Sequence, residues 1–78
     1  MPTVLRVGPY RLGFWSREND EPPHVHVYRE KYVAKLWLEP SVSVAGSRGF
    51  AAHELNLIRR IVEEYRERLL EAWDEHFN

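Results

Sequence analysis

Residues 21–28 read Glu-Pro-Pro-His-Val-His-Val-Tyr, and no other stretch restricts the fold of this chain as much. Adjacent prolines favour an extended backbone and have no N–H to give to a ladder, so they suit the approach to a strand. Strict alternation follows. In a strand, Val25 and Val27 share one face while His24, His26 and Tyr28 share the other. One face is aliphatic; the other carries two imidazoles and a phenol.

The flanking chain supplies partners for this strand. Residues 3–7 and 10–16 are apolar-rich runs separated by Gly8-Pro9, a pair that predicts a hairpin. A two-residue turn opposes Val7 to Tyr10, Leu5 to Leu12 and Thr3 to Phe14, and so gathers Leu5, Val7, Tyr10, Leu12 and Phe14 on one face, the expected core. The opposite face carries Val4, Arg6, Arg11, Gly13 and Trp15. Residues 17–20 read as a polar connection closed by the turn former Asn19-Asp20. After Tyr28, Arg29-Glu30-Lys31 marks a second reversal, and Ala34, Leu36 and Leu38 then alternate with Lys35 and Trp37 in a fourth strand. This places Ala34, Leu36 and Leu38 in the core with Val25 and Val27, and His24, His26, Tyr28, Lys35 and Trp37 on the outer face. Residues 40–49 turn to Ser, Val, Gly and Pro and read as a loop, with a short edge strand at 41–44 as the alternative.

From about residue 51 to 76 the period changes. Leu55, Ile58, Val62, Tyr65, Leu69 and Trp73 recur at spacings of three and four, which predicts one long helix with a single apolar stripe. The pairs Arg59–Glu63, Arg60–Glu64 and Glu64–Arg68 stand one turn apart on its outer face. Leu57, Ile61 and Leu70 widen the apolar surface, either as a broader contact with the sheet or as an interface with a second copy of the chain. The expected architecture is α+β. A four-stranded, mostly antiparallel sheet made of two hairpins has the C-terminal helix packed on one face and its other face open, all within one domain spanning 1–78.

Seventy-eight residues lie near the lower limit for a self-sufficient core, and the absence of cysteine removes both disulfides and thiolate metal sites. With 11 basic and 12 acidic side chains, the net charge of −1 argues against a generally basic nucleic-acid binder, although an average leaves room for a local basic face. No apolar run is long enough to cross a bilayer, and the start, Met-Pro-Thr-Val-Leu-Arg, lacks the apolar centre of a signal peptide, so no membrane contact is expected and the expected location is the cytoplasm.

Several stretches together carry a family resemblance: Met-Pro-Thr-Val-Leu-Arg at the start, Glu-Pro-Pro-His-Val-His-Val at 21–27, Ala-Lys-Leu-Trp-Leu-Glu-Pro at 34–40, Arg-Gly-Phe at 48–50 and Leu-Leu-Glu-Ala-Trp at 69–73. Over nearly its whole length the chain resembles the small bacterial domain-of-unknown-function family 4160. Members of that family often lie beside another small protein, so the resemblance implies a two-gene module of toxin–antitoxin type with a protein partner encoded nearby. Members often carry Ser where this chain has Ala51, a position suited to a helix N-cap, and loss of the hydroxyl costs about 1 kcal/mol.

His24 and His26, two apart on a strand, present both imidazoles to one point. As metal ligands they need a third donor, for which His53, Asp20 and Glu21 are the candidates, against the commoner reading of histidines bonded structurally; no metal or cofactor is expected. As general acid and base they suit metal-independent RNA cleavage, with Arg6, Arg11 or Lys35 to stabilise charge and Trp15, Tyr28 and Trp37 to stack bases. The same aromatic and basic residues suit a protein interface, which is the preferred reading of that face. Gly46-Ser47-Arg48-Gly49 has the ingredients of an anion site at a helix start, though without the ending of a P-loop, and a plain connection is the alternative.

Overall fold

The computed structural model describes residues 3–15 and 20–77; the expected strand end at Ser16 and most of the 17–20 connection lie outside them. Five strands follow one another as an antiparallel meander in the order β1-β2-β3-β4-β5: β1 (Thr3–Val7), β2 (Tyr10–Gly13), β3 (His24–Arg29), β4 (Tyr32–Trp37) and β5 (Ser43–Arg48). Two helices, α1 (Ala52–Glu64) and α2 (Arg66–Phe77), follow among the described residues.

The alternation read from the sequence sets the pleat. Val25 and Val27 are paired with Leu36 and Ala34, and all four are buried with Leu12, Phe14 and Leu38. The helical stripe meets them: Ile58, Val62, Leu69 and Trp73 are buried, and Leu55 and Tyr65 pack at its margin. In the first hairpin Val7 pairs with Tyr10 and Leu5 with Leu12 as expected, but a bulge at Val4 pairs Thr3 with Gly13 rather than with Phe14.

Two features differ from the sequence-based expectation. The 40–49 loop is replaced by a fifth strand that begins at Ser43 and extends to Arg48, all six residues exposed. An edge strand with no buried face has no hydrophobic period to announce it. The single long helix is two helices meeting at Tyr65, where φ is −103° and ψ is 15°. The backbone bonds continue across the junction, Tyr65 N–H to Ile61 O at 3.2 Å and Leu69 N–H to Tyr65 O at 2.9 Å. Neither Gly nor Pro marks the spot. The Arg66 guanidinium, which follows it, donates from Nε to the Leu38 carbonyl at 2.7 Å and from Nη2 to that of Pro40, so a tertiary tie holds the bend. Ala51 is the N-cap of α1 with extended backbone and no side-chain cap bond, as its methyl group requires.

Both tight turns place a positive φ at their first central residue: Gly8 at 56° between β1 and β2, and Glu30 at 55° between β3 and β4. Glycine adopts this region freely; glutamate does not. Glu30→Gly is expected to raise stability by about 0.5–1 kcal/mol in urea unfolding, because the relieved backbone strain outweighs the added freedom of the unfolded chain.

One polar knot locks α1 to the sheet. Glu54 accepts from Arg29 Nε at 2.8 Å and Nη2 at 2.9 Å, and from the Tyr10 hydroxyl at 2.8 Å, while Arg29 also lies over the Tyr32 and Phe50 rings. The Arg29 bonds, then that of Tyr10, hold the Glu54 carboxyl below its ordinary 4.5. Burial, and then the Glu54 contact, push the Tyr10 phenol above 10.0. The lowered carboxyl contributes stability that is complete above pH 4.5 and is lost as pH falls through the native value; the raised phenol contributes stability that is complete below pH 10 and is lost as pH rises through its native value. Denaturant midpoints measured from pH 2 to 12 are expected to fall at both ends. Glu54→Gln should flatten the acid limb and Tyr10→Phe the alkaline one.

Candidate functional site

The pleat that buries the valines turns their neighbours outward. Across the sheet, Gly13 pairs with His26, His26 with Lys35 and Lys35 with Gly46, so one row runs over four strands from β2 to β5. Its end members are glycines. Gly13 offers no side chain beside His26, and the Trp15 indole lies flat on that imidazole, with centroids 4.0 Å apart and planes within 5°. The indole Nε1–H donates to the Tyr28 hydroxyl at 2.6 Å, which fixes its orientation. At the other end, the position a Gly46 side chain would take has nothing within 4 Å.

An open cleft of about 300 Å³ results, lined by Trp15, His26, Val33, Lys35, Gly46, Ser47 and Arg48. Its floor is apolar at Val33, one wall is the Trp15–His26 stack, and Lys35 and Arg48 bring positive charge. Lys35 Nζ bonds Glu21 at 2.7 Å and lies 4.7 Å from the Trp37 ring centre. The Lys35 bond in turn holds the Glu21 carboxyl below its ordinary value. No carboxylate among the described residues pairs with Arg48.

The net charge conceals a segregation. The five strands hold five basic residues and no acidic one, whereas the two helices hold seven acidic and four basic. Four of the strand cations, Arg6, Arg11, Lys35 and Arg48, stand on the outer face; Arg29 faces α1. Arg6 is directly opposite Arg11, and such like-charge pairs cost stability. Arg11 is 5.6 Å from the Tyr28 ring centre.

The residues singled out from the sequence thus divide. Trp15, His26, Lys35 and Arg48 meet in the cleft; Tyr28 buttresses Trp15; Arg6 and Arg11 lie toward the β1–β2 side. Arg48 is the last residue of β5, separated from α1 by Gly49, Phe50 and Ala51, so it belongs to the sheet rather than to a helix start. His24 is not on an open surface: it is fully buried at the end of β3, 5.0 Å from Trp73 of α2 and 5.5 Å from Trp37 between ring centres. Its Nδ1 lies 2.9 Å from the Pro22 carbonyl, which can only accept, so the proton sits on Nδ1. His26 is 3% exposed, its ring covered by Trp15. The two imidazoles meet edge to face at 5.4 Å. Among the described residues no three potential metal ligands cluster, and His53 is on the exposed first turn of α1.

The sequence-based reading did not single out Val33, on β4, and took in Gly46 and Ser47 only as ingredients of an anion site at a helix start, because the residues of β5 read mainly as a loop. It missed the Tyr10–Arg29–Glu54 knot because partners 25 and 44 positions apart leave no local pattern. Chemically, the cleft offers an aromatic wall, an apolar floor and two cations, which suits a ligand that is both anionic and partly apolar. No helix among the described residues is long and apolar enough to cross a membrane. Residues 10–74 match the family model described as domain of unknown function (DUF4160). No curated protein and no solved structure matches the chain.

Proposed function

The chain belongs to the DUF4160 family of domains of unknown function over residues 10–74, and from that premise we propose that it is the partner-binding component of a two-protein module of toxin–antitoxin type. Its open sheet face receives an acidic segment of the partner protein. The observation that carries this is the charge segregation: an outer face with four cations, exposed indole at Trp15 and no acid in any strand, beside a cleft with an apolar floor. Aromatic and arginine anchors are the side chains that concentrate binding energy in protein interfaces. Retaining Arg6 opposite Arg11 at a cost in stability fits a surface kept for complementarity. The two histidines serve here as packing, His26 as the base on which Trp15 is set and His24 as the joint between β3 and α2.

The test is co-expression with the product of the adjacent gene and measurement of the complex. Wild type is expected to bind with an affinity that falls as salt is raised. Lys35→Glu with Arg48→Glu is expected to weaken the complex at least tenfold, while Arg59→Glu on the helical side leaves it unchanged. Equal binding by all three would overturn the proposal. Binding of a labelled twelve-nucleotide oligouridine in place of the partner, lost in the same double variant, would assign the face to RNA instead.

A further inference from the structure

We infer that the partner segment binds as a sixth strand on the free edge of β5, with acidic residues at alternate positions facing Arg48 and the cleft; this rests on the reading of the face just given. Among the described residues β5 is the last strand of the sheet, bonded on one side to β4, and all six of its residues are exposed. Edge strands are commonly protected by lysine, proline or a covering element. β5 contains neither lysine nor proline. It has one bulge, at Ala45 between Val44 and Gly46, which leaves Gly46-Ser47-Arg48 as regular ladder.

Those same three residues line the cleft. A strand added at about 4.8 Å beyond β5 puts one of its side chains opposite Arg48 and another opposite Gly46, on the outer face and two residues apart. The empty space over Gly46 admits the second, and Lys35, paired with Gly46 across the ladder, stands beside it. The intervening residue turns to the other face, next to Ser47. The segment that fits therefore reads acid, apolar or small, acid. Backbone groups bind it and cations select it.

A second copy of this chain is the poorer occupant. Its own β5 reads Ser-Val-Ala-Gly-Ser-Arg and has no acid to answer Arg48. A polynucleotide would answer the charge but cannot continue the ladder.

The experiment uses the full chain and a fluorescein-labelled ten-residue peptide that alternates glutamate with valine. Binding followed by anisotropy is expected to fall at least tenfold when the glutamates are replaced by lysine. Two further peptides keep every side chain but carry N-methyl groups at odd or at even positions. An added strand donates alternate N–H groups to its neighbour, so one pattern is expected to abolish binding and the other to leave it within about threefold. If both methylated peptides bind like the parent, strand addition is wrong while the acidic-segment reading stands. Equal binding of the glutamate and lysine peptides removes both. A sedimentation mass of twice the chain that the glutamate peptide does not reduce would assign the edge to a second copy and overturn the inference.

Discussion

Gly49→Ala is expected to lower stability by about 2–5 kcal/mol, the sum of backbone strain and a steric clash. Gly49 has a φ of 98°, a region L side chains rarely adopt, and a methyl group built there falls within the Tyr32 ring. That ring is also held edge-on by Phe50 and lies under Arg29, so swinging it clear would loosen the knot around Glu54. A chain of this length has a total stability on the order of 4–12 kcal/mol, so the variant approaches global unfolding. Two companion variants separate the causes in urea unfolding. Gly49→Ala with Tyr32→Ala removes the clash but not the strain, and is expected to recover part of the difference relative to Tyr32→Ala alone. Gly46→Ala, in open space and outside the positive-φ region, is expected to stay within about 0.5 kcal/mol of wild type. Equal stability of Gly49→Ala and wild type would show that the β5–α1 junction is looser than its geometry indicates.

Trp73→Ala is the second large effect, expected to cost about 3–5 kcal/mol. Trp73 is 8% exposed and ties α2 to β3 and to the residue after β2: it meets the Phe14 ring edge-on at 5.3 Å, His24 at 5.0 Å and, within its own helix, Phe77 at 4.2 Å. Removing the indole leaves a void among these rings and uncovers the otherwise sealed His24, so the loss combines missing apolar burial with unfilled space. Trp73→Phe keeps much of the volume and is expected to lose less than half as much. The NMR signals of His24 provide an independent readout. They should move in both variants, most in the alanine one, and more than those of His26, which stacks on Trp15 and meets His24 edge to face. If His24 were indifferent to Trp73, the joint between β3 and α2 would not be what seals it.

The same residues separate what can be read locally from what cannot. The inward set Val25, Val27, Ala34, Leu36 and Leu38 and the stripe Ile58, Val62, Leu69 and Trp73 were legible because each repeats with the period of its own element. The outer set was legible for the complementary reason: once the valines are inside, His26, Tyr28, Lys35 and Trp37 must point away. His24 obeys that parity in its pairing with Trp37 yet is buried, because it sits at the end of its strand, within reach of an indole 49 positions later. β5 escaped because both its faces are exposed, and the break at Tyr65 because an arginine's choice of distant carbonyls, rather than a helix-breaking residue, makes it.

Sequence by itself thus determined the alternation, the hairpins and the amphipathic helical stripe, since backbone geometry converts spacing along the chain directly into sides of an element. Only the tertiary structure decided that the strand cations and Trp15 border one cleft, that Glu54 is tied to Arg29 and Tyr10, and that His24 is sealed by Trp73. Those are contacts between elements, set by how layers cross and where strands end, and no local period encodes them.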